Sequence, residues 1–206
     1  TYHTTGDRAS RLEYAVFVQG EDELARSICS LVAVSINNIK TLYDEKHDKA
    51  TFVKNIILDN ILPGDIYIKS RELHFGNDVP RVVFLVRQQA PADVAAIDVV
   101  NGRSPARQKD FVLHISETDI VVVKEVKAGS EIKDLIKLAD SIEETLLSEL
   151  SVKCLIGIGS VSSQMKDIAK SFKEATTAIE VGAVFDTEKN IISFENLGIG
   201  RLIYQL

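Results

Sequence analysis

Apolar residues fall into two repeats along the chain, an alternating or continuous one that predicts strands and a three-to-four spacing that predicts helices. Leu12 to Val18 (LEYAVFV) reads as a strand, and Gly20 breaks it before an acidic helix start at Glu21-Asp22-Glu23. The spacing then turns helical. Ile28, Val32, Ile36, Ile39, Tyr43, Ala50, Val53, Ile57 and Ile61 recur at intervals of three, four or seven, with no Gly or Pro before Pro63-Gly64. That predicts one helix, or two nearly continuous ones, of about 40 residues and about 60 Å at the standard rise. An ordinary core helix of a small domain is shorter. The favoured reading is a linker helix that pairs with its copy in a homodimer through Ile28, Val32, Ile36, Ile39, Tyr43, Val53 and Ile57; the alternative is a helix packed within its own chain. Asp44 to Lys49 (DEKHDK) interrupts the apolar positions, as a hinge or as a solvated stretch.

Beyond it, Asp65 to Phe75 predicts a short helix closed by Gly76-Asn77-Asp78. Arg81 to Arg87 (RVVFLVR) is a β-branched run expected to be a buried strand, and Ala92 to Val100 has helical spacing up to Asn101-Gly102. Phe111 to Ile115 and Ile120 to Val126 are separated by only Ser116-Glu117-Thr118-Asp119, which makes them a hairpin. Ser130 is placed to cap an amphipathic helix with Ile132, Leu135, Ile136, Ala139, Ile142, Leu146 and Leu150 on one face. Val152 to Ile158 reads as a buried strand. Ser162 or Ser163 is expected to cap a helix that turns Met165, Ile168, Ala169, Phe172, Ala175 and Ile179 inward and ends at Gly182, with a last strand at Asn190 to Phe194. The order from Arg81 onward suits an α+β fold: an antiparallel-containing sheet with helices on one face, the ferredoxin-like arrangement that nucleotide cyclases share.

Composition narrows the functional classes. Cys29 and Cys154 stand far apart in apolar surroundings and form no CxxC pair, so both are expected to be buried thiols. The sequence holds no apolar run of membrane-spanning length and no signal-peptide core near its start, which gives the expectation of a cytoplasmic protein without membrane contact. A net charge of −6 argues against these residues holding DNA by themselves. The polar start without methionine and the stop after Arg201-Leu202-Ile203-Tyr204 look like cuts made in a longer chain.

A cyclase fold permits metal-assisted chemistry only with particular residues in place. Such a site needs two carboxylates to hold divalent metal ions, one at the end of the first strand and one in the hairpin. The strand offers Val82-Val83-Phe84-Leu85-Val86-Arg87 and then Gln88-Gln89, none of them acidic; Glu117 and Asp119 in the hairpin lack a glycine pair and read as a solvated turn. Gly157-Ile158-Gly159 suggests a phosphate loop, but Ser162 occupies the place of the third glycine and no Gly-Lys-Ser/Thr follows; a strand with a tight exit is the simpler account. His3, His47, His74 and His114 stand at no ligand spacing, with His114 expected on the exposed face of the hairpin, and no Gly-x-Ser-x-Gly elbow is present. The expectation is therefore of no catalytic residue, no cofactor and no metal. The rivals are a cyclase with altered metal ligands and a module that binds a nucleotide or small acid without chemistry.

The block Ile156-Gly157-Ile158-Gly159, followed by Ile168-Ala169-Lys170-Ser171-Phe172-Lys173-Glu174-Ala175 and Ala178-Ile179, resembles the signature of the degenerate GGDEF-like domain in bacterial transcription regulators of the sugar-diacid-utilisation and purine-catabolism type (CdaR/PucR). Gly157, Gly159, Ser171, Phe172, Glu174 and Ala175 carry the match. Leu197-Gly198-Ile199-Gly200-Arg201-Leu202-Ile203 resembles the exit of that domain, and Phe52 to Leu62 with Asp65-Ile66-Tyr67 the linker helices of Firmicute members. The resemblance implies residues 1–20 as the tail of a sensory, GAF-like domain, 21–79 as linker and dimerisation helices, and 80–206 as a GGDEF-like domain related to cyclases in fold only. It further implies a small-molecule effector bound upstream and DNA reached only through a C-terminal helix-turn-helix outside these residues.

Overall fold

The computed structural model describes residues 2–6, 12–89, 94–103, 109–127, 129–185 and 189–198, and its chain divides between Lys49 and Ala50 into two compact units. In the first unit, β1 (Tyr2–Gly6) and β2 (Leu12–Phe17) form an antiparallel ribbon with Tyr2 opposite Phe17. Gly20 turns the chain at φ 134°, and the Asp22 carboxylate accepts the Ala25 N–H at 2.8 Å, tying down an early donor of α1 (Glu23–Ile57). Small residues allow close packing here. Cys29 and Ala33 of α1 meet Val16 of β2, with Val18 and Ile36 around them.

Helix α1 is one helix of 35 residues, about 52 Å long; Asp44 to Lys49 lie within it, and Asp44 to Asp48 are exposed. Its last turns belong to the second unit, where Phe52, Val53, Ile56 and Ile57 are buried. Residues 50–79, expected to be linker, thus supply core to the unit they precede. Pro63-Gly64 does not end helical structure but opens α2 (Pro63–Glu72), where the proline sits in the first turn and needs no N–H partner. Leu73 and Phe75, assigned to that helix by spacing, lie beyond it.

The second unit is built on a five-stranded sheet in the order β4-β5-β3-β6-β7, from β3 (Arg81–Gln88), β4 (Phe111–His114), β5 (Asp119–Glu125), β6 (Cys154–Ile158) and β7 (Ile191–Ser193). Strand β3 is central and antiparallel to both β5 and β6; β4 and β5 form the expected hairpin, and β7 adds a parallel strand beside β6. The order of β3 to β6 is the ferredoxin-like one, so the mixed α+β class stands. Helices cover both faces of the sheet, not one. Val82, Phe84, Val86, Ile120 and Val122 pack under α3 (Val94–Arg103) and α4 (Ile132–Leu150), whereas Val83, Leu85, Val121 and Val123 pack under α5 (Ile168–Phe185) with the last turns of α1 and Ile66 of α2. A strand buried on both faces reads as a continuous apolar run, which is why RVVFLVR shows no alternation.

Several helix ends depart from expectation because backbone geometry found other solutions. Helix α3 runs through Asn101-Gly102; its expected start at Ala92 and Asp93 lies outside the described residues. Ser130 does not cap α4: its hydroxyl donates to the Lys127 carbonyl at 2.9 Å, and Glu131 stands at the cap. Neither Ser162 nor Ser163 caps α5. Ser162 makes a two-way backbone bridge with Arg81, its hydroxyl donates to the Asp167 carbonyl, and a 3-10 turn at Met165–Asp167 leads into the helix. Gly182 lies inside α5, where a Cβ would meet the Ile192 side chain at 2.3 Å.

Candidate functional site

The end of β3 and the neighbouring hairpin are where cyclase-type chemistry would require paired carboxylates. Strand register sets Arg87 of β3 directly opposite Asp119, the first residue of β5. The guanidinium donates from Nε to Oδ1 at 3.0 Å and from its terminal nitrogen to Oδ2 at 3.1 Å, a two-pronged pair that fixes the planes of both groups. Thr118 Oγ1 donates to the same carboxylate, and the Asp119 N–H is held by Ser116 Oγ at 3.1 Å. Asp119 is therefore not the solvated turn residue expected from sequence; its side chain is 15 % exposed. These hydrogen bonds hold the Arg87 pKa above its ordinary value, against a smaller opposing effect of burial, with the charges of Asp119 and Glu180 adding to the rise. Glu117 is exposed, as expected.

An arginine thus stands in the strand position where chemistry would call for an acid, and both oxygens of the Asp119 carboxylate are engaged by it. The two opposite charges neutralise each other across the strands. Next to Arg87, Gln88 is only 3 % exposed, and among the described residues neither its amide nitrogen nor its amide oxygen has a hydrogen-bond partner.

The second constellation is the glycine block, and here the structure brings the family-signature residues together. Gly157 and Gly159 face α5. A Cβ on Gly157 would lie 2.1 Å from the Ala175 carbonyl oxygen, and one on Gly159 would lie 2.0 Å from that of Ser171. Neither glycine has positive φ among the described residues, so the requirement is contact of helix backbone with strand backbone, not a tight turn. Ser171, 1 % exposed, accepts the Val83 N–H at 3.1 Å and donates to the Ser160 carbonyl at 2.8 Å, while Glu174 Oε2 accepts the Ser160 N–H at 2.9 Å. The loop N–H groups that a phosphate would contact are thus taken up within the chain: Glu174 holds that of Ser160, and the carbonyls of Val83 and Arg81 accept those of Gly159 at 2.9 Å and Ser162 at 2.7 Å. Ala175 is buried in the same contact and Phe172 is partly buried against the core.

Of the helix residues singled out for pairing, the structure separates two groups. Val53 and Ile57 are buried in the core of the second unit at 0 % and 1 % exposure, which removes them from any pairing face; Ile36 packs in the small cluster of the first unit. Ile28, Val32, Ile39 and Tyr43 are exposed, together with Leu24, Leu31, Val34 and Leu42, which lie outside the set predicted by spacing.

Sequence reasoning also passed over Arg81. It is 3 % exposed, donates to the carbonyls of Gly76 at 3.0 Å and Val79 at 3.2 Å, and lies over the Phe75 ring; burial lowers its pKa, with Glu125 acting in the opposite direction. Phe75 in turn packs against Phe52 and Phe111, so the connection from α2 to β3 is bound into the core by one cation and three rings. A lone arginine opening an apolar strand was the only trace of this in the sequence. Cys29 and Cys154 are buried, and burial, with a contribution from Glu143, pushes the Cys154 thiol up to about 12. His114 is exposed on β4. Among the described residues no three His, Cys, Asp or Glu side chains gather as a metal site would require, and no helix is long and apolar enough to cross a membrane.

No curated protein matches the chain. The family model of the GGDEF-like domain matches residues 60–181, more than half of the 206 residues, and this span takes in α2, the sheet from β3 to β6, the Arg87–Asp119 pair and the Gly157–Glu174 block. By that match and the fold beneath it, the chain belongs to the GGDEF-like domain family.

Proposed function

We propose that this chain is the regulatory and oligomerisation segment of a CdaR/PucR-type bacterial transcription factor, without catalysis of its own. Residues 1–20 are the tail of an upstream sensory domain, the helices between carry the signal of a bound small-molecule effector, and the GGDEF-like unit passes it to a C-terminal helix-turn-helix that binds DNA in the cytoplasm. The observation that carries the absence of catalysis is the Arg87–Asp119 pair, because a strand that presents a guanidinium and a hairpin in which Asp119 is spent on it leave Glu117 as the one open carboxylate of the turn, where two are needed to hold divalent metal ions. The aromatic contacts of Phe52, Phe75 and Phe111, which join the end of α1 to the hairpin, support the relay.

Incubation of the chain with GTP or ATP and magnesium or manganese is expected to give no cyclic or dinucleotide product. Turnover that disappears in Asp119→Asn would replace this reading with that of a cyclase using altered ligands. The regulator half is tested by expressing the reading frame beyond Leu206 and measuring operator binding against salt: a helix-turn-helix whose binding weakens steeply with salt is expected, and a frame that stops there overturns it.

A second reading, a module that holds a nucleotide or small acid, has one observation in its favour, the unpartnered buried amide of Gln88 at the end of β3. A saturable thermal shift with a nucleotide, lost in Gln88→Leu, would establish it.

A further inference from the structure

Between Arg26 and Tyr43 helix α1 contains only two charged residues, Arg26 and Lys40, although most of its surface is exposed. The ribbon of the first unit covers one side, marked by Ala25, Cys29, Ala33 and Ile36. Away from that side stand Leu24, Ile28, Leu31 and Leu42, at 67, 43, 70 and 66 % exposure, and they follow the four-three-four spacing of a heptad whose remaining places are Ser35 and Asn38. Val32, Val34 and Ile39 flank them and are also exposed. Without Tyr43, which stands about 100° round the helix from Leu42, the bare side chains of the stripe and its flanks amount to on the order of 600 Å² per chain, of the size of the roughly 800 Å² per partner of a standard interface.

We infer that this stripe is a two-helix seam in which α1 of one copy lies parallel and in register with α1 of a second copy. The choice of a second copy rests on the stripe's own repeat, which is complementary to itself, and the choice of parallel rests on its polar places. In a parallel pair Ser35 meets Ser35 and Asn38 meets Asn38, so each amide finds an amide. An antiparallel pair sets Asn38 against Ile28 and Ser35 against Leu31, leaving the Asn38 amide opposed to hydrocarbon. Ile28 and Leu31 are also the β-branched and leucine residues that favour two parallel strands in their respective places. The seam differs from the one predicted by spacing alone: it excludes Val53 and Ile57, which the core takes, and gains Leu24, Leu31 and Leu42.

This inference deepens the oligomerisation part of the proposed function and rests on it, while its tests do not touch the nucleotide assay or operator binding. Sedimentation of the full 206-residue chain is expected to give a dimer, and Leu31→Glu is expected to weaken self-association roughly 100-fold or more, because it buries two like charges in the seam. The melting of the GGDEF-like unit should stay unchanged in that variant. Leu24→Cys is expected to form an intermolecular disulfide on mild oxidation. A monomeric chain, or a dimer untouched by Leu31→Glu, overturns the seam; a dimer in which Leu24→Cys does not cross-link to itself but pairs with Leu42→Cys overturns the parallel register.

Discussion

Helix α1 contains two stretches of similar apolar spacing with different fates. From Phe52 to Ile57 the apolar face is sealed in the core of the GGDEF-like unit, each of Phe52, Val53, Ile56 and Ile57 at 2 % exposure or less. From Leu24 to Leu42 a face of comparable character stands open, and among the described residues a ribbon of two short strands covers the side next to it. Periodicity says that a face is apolar. Whether it is covered from within the chain depends on how much chain folds back onto it, and a two-stranded ribbon is at the lower limit of what can stand by itself. The helix therefore joins a stretch whose apolar face is covered by its own unit to one whose apolar face is open.

The largest effect expected from this contrast comes from truncating the covered stretch. Phe52→Ala removes a ring that touches Phe75 and opens a cavity in the core, and it should cost the GGDEF-like unit about 3–5 kcal/mol in a denaturant melt. Leu42→Ala, in the open stretch, should leave the melt of that unit within about 0.5 kcal/mol of the parent. Equal losses at the two positions would mean that the open stretch is covered after all.

A somewhat smaller loss is expected where α5 meets β6. Gly159→Ala adds a methyl group that lands on the Ser171 carbonyl, and backbone on both sides has to give, so a loss of about 3 kcal/mol is expected from the melting midpoint. Ser171→Ala keeps the helix in place but strips the Val83 N–H and the Ser160 carbonyl of their partner, and about 1–3 kcal/mol is expected by the same measurement. Neither substitution should alter the mass of a dimer held through Leu24 to Leu42, which is how a structural role of the signature block is told from a role in assembly.

How much of this was legible in the sequence follows the same division. Local patterns placed the hairpin, the helices and the ferredoxin-like order, and the length of α1 came out nearly right, because strands and helices announce themselves by spacing. The sequence showed no sheet face, so the cover of α5 on the side opposite α3 and α4 was missed; a strand buried on both sides carries no alternation to reveal it. Ser162 and Ser130 have the right chemistry for caps, yet each hydroxyl found a carbonyl nearer by, a competition that spacing cannot rank. At the candidate site the sequence showed that β3 lacks an acid, but not that Arg87 faces Asp119 across the strands, since the pairing register is a non-local fact. The glycine block was readable as a motif and misread as a tight exit, because a glycine required for φ and a glycine required for contact look the same as letters.

That last distinction yields the smallest prediction. Ser151 closes α4 in the left-handed region at φ 55°, with its N–H donating to the Leu147 carbonyl, and it carries a Cβ where glycine would be free of strain. Ser151→Gly should therefore stabilise the GGDEF-like unit, by about 0.5–1 kcal/mol once the added freedom of the unfolded chain offsets part of the gain. The substitution runs opposite in sign to Gly159→Ala in the same fold: at 151 the backbone angle asks for glycine and the chain supplies serine, whereas at 159 the angle is ordinary and only the space asks for it. If Ser151→Gly lowers the melting midpoint, the serine side chain is contributing a contact that outweighs its strain, and the division between conformational and contact glycines would have to be redrawn at the end of α4.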